Sequence, residues 1–135
     1  MNQTKLVKTA KYLCQPGKGI LAADESSGTI EKRFKTINLV STEANRKNWR
    51  ELLLTTPKIA NFISGVIFYD ETLRQKIIRD PKIIAGIKVD TGVKPLAGFP
   101  GETVTEGLDG LRERLAEYVK LGAQFTKWRA VINLG

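Results

Sequence analysis

The sequence predicts an α/β fold built on a parallel sheet, and three observations predict it. Short apolar runs alternate with longer segments whose apolar residues recur at helical spacing. The first of these runs, Ile20 to Ala23, is apolar on both faces, as a strand buried in a parallel sheet should be. Four such runs end in charged residues, and the C-terminal strand ends are where parallel α/β folds place their sites. A chain of 135 residues, 41% hydrophobic and 27% charged, is long enough for one domain with a real core and too short for two.

Each element has a local reason. From Lys5 to Cys14, Leu6, Val7, Ala10, Leu13 and Cys14 recur at helical spacing, and Pro16-Gly17 stops that helix. After the strand Ile20 to Ala23, Ser26 or Ser27 caps a helix whose Ile30 and Phe34 lie four residues apart. Thr42 caps a longer helix running to about Leu54, with Glu43 favourably placed in the first turn, and Pro57 follows. Residues 64–69 form a second strand ending in Asp70-Glu71, and Ile83 to Val89 a third carrying Lys88 and Asp90 at its end. Gly98-Phe99-Pro100-Gly101 is a turn. Leu108, Leu111, Leu115 and Val119 then make the apolar stripe of a helix, with Arg112, Glu113, Arg114, Glu117 and Lys120 on its other face and Gly122 at its stop. A fourth strand is expected from about Gln124 to Ile132, bearing Lys127 and Arg129.

Composition narrows the chemistry. There is no histidine and one cysteine, so zinc or iron chemistry finds few ligands, and no internal disulfide can form. Proton transfer falls to Asp, Glu, Lys or Tyr. No apolar run approaches membrane-spanning length, and the cytoplasm is the expected compartment. The net charge of +8 suits nucleic acid, an anionic metabolite, or merely a basic surface. Lysines and arginines are scattered through every segment, without a dense tail or interleaved aromatics, which argues against nucleic acid, and no membrane partner is expected.

The strand ends carry the functional reading. Asp24 and Glu25, Asp70 and Glu71, Lys88 and Asp90, and Lys127 and Arg129 all fall at the same end of one sheet. Alternation puts Lys88 with Asp90 on one face, and Lys127 with Arg129 and Phe125 on one face. Taken singly, each has a plainer explanation. A lysine can snorkel, Asp24 can cap a helix, Asp70-Glu71 reads as a capping and loop feature, and Ser26-Ser27-Gly28-Thr29 as a turn. Their concurrence points to a site. Lys88, Lys127 and Arg129, with Lys32 and Arg33 from the first helix after β-strand one, suit a phosphorylated or carboxylated substrate. A lysine crowded by cations could attack a carbonyl as a Schiff base, but spacing does not say which lysine does so, or whether one does.

These residues resemble the class I fructose-1,6-bisphosphate aldolases. The similar stretches are Gly19 to Arg33 (GILAADESSGTIEKR), Gly65 to Thr72 (GVIFYDET), Gly86 to Asp90 with Pro95 to Gly98, Gly101-Glu102-Thr103, Gly107 to Leu111, and Phe125 to Val131. The resemblance implies a (β/α)8 TIM barrel, of which this chain covers about the first four β/α units as a half-barrel. On that reading residues 1–16 are an N-terminal helix and 17–135 are strands one to four with their helices. It implies reversible cleavage of fructose 1,6-bisphosphate to dihydroxyacetone phosphate and glyceraldehyde 3-phosphate, in glycolysis and gluconeogenesis, through a lysine Schiff base. Neither metal nor other cofactor is implied.

Carried over by position, Asp24, Lys88 and Lys127 take catalytic roles. Ser26, Thr29, Arg33, Lys88, Lys127 and Arg129 take the substrate and its phosphates. A whole barrel needs about 250 residues. The Schiff-base lysine and the acid/base glutamate are therefore implied beyond Gly135, and this stretch alone is expected to be inactive. The alternative is a non-catalytic half-barrel that binds sugar phosphates or self-associates through open strand edges as a homo-oligomer. The link from Lys76 to Ala85 is shorter than in the family, which makes the second crossover tight, and Thr91 stands where many relatives have lysine.

Overall fold

The computed structural model describes residues 3–78 and 80–134; Met1, Asn2, Arg79 and Gly135 lie outside the described residues. In chain order, α1 (Gln3–Leu13) leads into β1 (Gly19–Ala23), followed by α2 (Ser27–Lys35) and α3 (Glu43–Leu54). A 3-10 turn at Ile59–Asn61 precedes β2 (Ile63–Phe68), α4 (Asp70–Arg74) and β3 (Ile84–Lys88). A hairpin of β4 (Gly92–Pro95) and β5 (Thr103–Glu106) comes next, then α5 (Leu111–Lys120) and β6 (Phe125–Lys127).

Strands β1, β2, β3 and β6 pair in that order, all parallel, and the hairpin forms a separate antiparallel sheet. Ala22, Ile67, Gly86 and Phe125 lie side by side across the main sheet, and one row nearer the C-terminal ends Lys88 pairs with Lys127. The other face, with Ala23, Val66, Phe68 and Ile87, packs against Leu54, Leu73, Ile77 and Tyr118 to make the core. On the first face, the Phe125 ring covers Gly65 and Gly86. A Cβ at Gly86 would overlap the ring, and one at Gly65 would sit 3.2 Å from it and 2.5 Å from Leu13 Cδ2. An aromatic side chain thus floors the sheet beneath Lys127, and only glycines leave room for it.

The helix starts follow their caps. Ser26 Oγ accepts from the Thr29 amide at 3.4 Å and opens α2, burying Ile30 and Phe34. Thr42 Oγ1 accepts from the Asn45 amide at 3.1 Å and opens α3. Gly122, at φ 98°, ends α5, with the Ala123 amide bonded to the Tyr118 carbonyl at 2.9 Å.

Four expectations need correction. First, β1 is not buried on both faces: only the face carrying Leu21 and Ala23 meets the core, while Ile20 on the other face is 43% exposed. Second, the α5 stripe is rotated. Leu108 and Val119 are exposed, while Leu111, Arg114, Leu115 and Tyr118 face inward. The arginine on that face is satisfied by the Val89 carbonyl at 3.1 Å and the Gly107 carbonyl at 2.5 Å. Third, the last strand ends at Lys127, because residues 128–134 have no strand partner and lie exposed. Fourth, strands and helices do not alternate throughout, since Gly98 to Gly101 turns the β4–β5 hairpin. The crossover from β2 to β3 uses residues 69–83, which meets the usual minimum of about 10–12 for such a connection.

Candidate active site

A cavity of about 520 Å³ opens at the C-terminal ends of the four parallel strands. It is lined by Asp24, Glu25, Ser26 and Thr29 from β1 and the start of α2, and by Tyr69 and Asp70 after β2. Lys88, Asp90, Thr91 and Gly92 come from β3 and beyond, Arg114 and Tyr118 from α5, and Lys127 and Arg129 from β6 and beyond. The pleat accounts for the selection, because Lys88 and Asp90 project on one face, as do Lys127 and Arg129.

The charges are internally paired. Lys127 Nζ donates to Asp24 Oδ2 at 2.5 Å, bridging the two outermost strands of the sheet. Lys88 Nζ donates to the Asp90 carbonyl at 2.7 Å and lies 2.8 Å from Asp90 Oδ1, with Arg129 Nη2 3.8 Å from the same oxygen. The Asp90 side chain is fully buried. Burial alone would push its carboxyl up. Lys88 and then Arg129 outweigh that and hold it below the ordinary carboxylate range. Two carboxylates therefore grip two lysines and an arginine at the mouth of one cavity.

At the cavity's other wall, the hydrogen-bonded Arg74 guanidinium first, and Tyr118 after it, hold Asp70 low against the cost of its partial burial. Burial first, and then Asp70, push the Tyr118 hydroxyl up, with Arg114 opposing. Arg74 bonds both Asp70 oxygens at 2.9 and 3.0 Å and reaches Glu117 on α5 at 2.6 Å. Asp70 thus belongs both to the cavity wall and to the tie between α4 and α5.

Six of the seven residues read as site residues from the sequence line the cavity: Asp24, Ser26, Thr29, Lys88, Lys127 and Arg129. Arg33 does not. Its guanidinium is turned to the Glu25 carboxylate, and Lys32 is an exposed helix residue outside the lining. Asp24 does not cap α2, a task taken by Ser26. Glu71 is withdrawn into an ion pair with Arg46 and Arg50. Tyr69, Arg114 and Tyr118 were missed. Tyr69 follows β2 directly and was readable as a strand-end residue, whereas Arg114 and Tyr118 depended on the rotation of α5. Among the described residues no cluster of His, Cys, Asp and Glu could hold a metal ion.

An arc of parallel strands with a charged cavity at its C-terminal ends is part of a (β/α) barrel of the enzyme-bearing kind. Comparison with known proteins makes this specific. The family model described as "Fructose-bisphosphate aldolase class-I" matches residues 5–135. The "probable fructose-bisphosphate aldolase class 1" of Xanthomonas campestris pv. campestris is 57% identical over 144 aligned positions, covering all of this chain and 43% of the relative. The cytoplasmic isozyme 1 of Pisum sativum is 52% identical, over 97% of this chain and 39% of its own length. The fructose-bisphosphate aldolase of Plasmodium falciparum, solved with TRAP and a small-molecule inhibitor, superposes with a TM-score of 0.88 at 47% identity. It covers 93% of this chain and 39% of that one.

The chain belongs to the class I fructose-bisphosphate aldolase family. It spans less than half the length of the curated relatives it matches.

Proposed function

We propose that this chain supplies the strand-one to strand-four wall of a class I fructose-bisphosphate aldolase site, forming residues 1–135 into one half-barrel unit. The carrying observation is the convergence of Asp24–Lys127 and Lys88–Asp90–Arg129 on one cavity from the ends of three strands, β1, β3 and β6. The reaction is the reversible cleavage of fructose 1,6-bisphosphate to dihydroxyacetone phosphate and glyceraldehyde 3-phosphate. Lys88 and Arg129 form a cationic fork for one phosphate, with Ser26 and Thr29 presenting hydroxyls at the start of α2 and Arg33 swinging in from Glu25. Asp24 orients Lys127 over the reacting carbon chain, and Lys127 stabilises the oxyanion that develops there.

Neither lysine is the nucleophile, since each ammonium is engaged by a carboxylate at 2.5 or 2.8 Å. The Schiff base belongs to a lysine outside strands one to four, and the 135-residue chain alone binds sugar phosphate without turning it over. The test is borohydride reduction of the chain with dihydroxyacetone phosphate, read by peptide mass, beside calorimetric titration of fructose 1,6-bisphosphate. Binding without a covalent adduct is expected; a reduced adduct on Lys88 or Lys127 would overturn the assignment of roles.

We infer also that the open edges of β1 and β6 drive self-association, for which the exposed Ile20 at one edge and Val131, Ile132 and Leu134 beyond the other give apolar contacts. Sedimentation of the chain should show an oligomer, and a well-behaved monomer would exclude it. The relatives named cytoplasmic or cytosolic, from Pisum sativum and Arabidopsis thaliana, support a cytoplasmic location. Among the described residues no helix is long and apolar enough to cross a membrane.

A further inference from the structure

Behind the cavity, a second set of charges ties α2, α3 and α4 to the tip of β1. Glu71, in the first turn of α4, receives Arg46 Nε at 3.0 and 3.1 Å on its two oxygens and Arg46 Nη2 at 2.7 Å. The Nη1 of Arg50, one helical turn further along α3, takes the same carboxylate. The other arm of Arg50, Nη2, reaches the Glu25 carbonyl at 3.4 Å, and the Glu25 carboxylate in turn holds Arg33 of α2. Arg50 is completely buried. Neither it nor Glu71 lines the cavity.

A buried ion pair is a poor way to gain stability, because apolar side chains of similar volume do as well or better. What this one grips is informative. The Glu25 carbonyl is part of the peptide joining Glu25 to Ser26, between Asp24 and the cap of α2. Asp24 must reach Lys127 across two intervening strands. The arginine arm holds the β1 tip from behind, at the peptide next to Asp24.

We propose that Glu71, acting through Arg50, is a positioning residue that fixes the Glu25 carbonyl and so holds Asp24 against Lys127. Its consequence for catalysis rests on the proposed sugar-phosphate site, but the placement itself can be measured without substrate. Lysine labelled with 13C at Cε and 15N at Nζ gives a side-chain signal for Lys127 in the full chain, assigned by its loss in Lys127→Arg. Asp24→Asn defines the position of that signal when the carboxylate partner is gone.

Glu71→Gln and Arg50→Lys are expected to move the signal toward that position. Both should weaken fructose 1,6-bisphosphate binding about fivefold, the equivalent of one hydrogen bond of about 1 kcal/mol. Leu73→Ala is the control: it opens a hole in the α4 packing and lowers the melting temperature without moving Lys127. If Glu71→Gln does not fold, Glu71→Asp keeps the charge, shortens the arm by one methylene, and is read in the same way. A Lys127 signal that stays put while the melting temperature falls reduces Glu71 to a purely structural part and overturns the proposal. Movement of the signal in a chain that binds no sugar phosphate sustains the positioning role and sinks the substrate reading instead.

Discussion

Gly86→Ala puts the packing of the sheet's inner face to the test. The new Cβ would meet three carbons of the Phe125 ring, the farthest of them at 2.6 Å, against an ordinary carbon contact of about 3.5–4.0 Å. Relief needs the ring to retreat by about 1 Å, yet it rises from the strand paired with β3 and also lies 3.2 Å from where a Cβ on Gly65 would stand. Such overpacking costs about 1–3 kcal/mol, and the restricted exits argue for about 2 or more. In a domain of this size that lowers the melting temperature by roughly 6–10 °C. Urea denaturation followed by tryptophan fluorescence measures it. Phe125→Leu in the Gly86→Ala background should recover part of the loss, giving a coupling of about 1 kcal/mol or more in the double-mutant cycle. Gly28→Ala is the counterpart, with nothing within 4 Å of its Cβ in α2, and should be neutral or stabilising by about 0.5 kcal/mol. An unchanged midpoint for Gly86→Ala, or strict additivity with Phe125→Leu, would refute the steric account.

Three further outcomes are expected. Asp90, Asp70 and Glu71 have carboxyls held below their unfolded values of 3.8, 3.8 and 4.5, so they add stability that is present above those values and lost as pH falls through the folded ones. The urea midpoint should therefore hold from neutrality to about pH 4.5 and drop below it. Asp90→Asn should make that drop shallower, and an acid limb of unchanged slope would show that Asp90 contributes nothing to it. Arg129→Gln should weaken fructose 1,6-bisphosphate binding about tenfold, the scale of a charged hydrogen bond of roughly 1.5 kcal/mol, and calorimetry showing equal affinity removes it from the phosphate fork. Arg74→Gln should destabilise by about 0.5–1 kcal/mol, because Asp70 loses bonds at 2.9 and 3.0 Å and Glu117 one at 2.6 Å; a melting curve that overlays the wild type contradicts that tie between α4 and α5.

Period and punctuation make most of the arc legible in the sequence. Ser26 and Thr42 cap where their residue types demand, and the strand-end charges converge because alternation and parallel pairing leave them little choice. What escaped depends on tertiary context. Ile20 to Ala23 reads as a run buried on both faces, but only the packing reveals that the core covers the Leu21 and Ala23 face alone. In α5, apolar count favoured Leu108 and Val119, while the carbonyls of Val89 and Gly107 turn Arg114 inward and Tyr118 follows. The hairpin was hidden because Gly92–Pro95 and Thr103–Glu106 are short and polar, with burial too slight to set a clear alternation. Glu71 looked like a helix-start acid, which it is; its partners, the half-buried Arg46 and the buried Arg50, lie more than twenty residues away in the chain.

The pairing of charges around the cavity separates arrival from retention. Four carboxylates (Asp24, Glu25, Asp70, Asp90) face four cations (Lys88, Arg114, Lys127, Arg129), so the lining is formally neutral inside a chain of net charge +8. The excess positive charge lies outside the cavity lining, where salt screens it over about 8–10 Å. It draws an anion toward the molecule from a distance and sets the association rate, which falls as ionic strength rises. Once the anion is seated, the shielded fork at Lys88 and Arg129 governs how long it stays. Salt should therefore slow the encounter far more than it hastens the release.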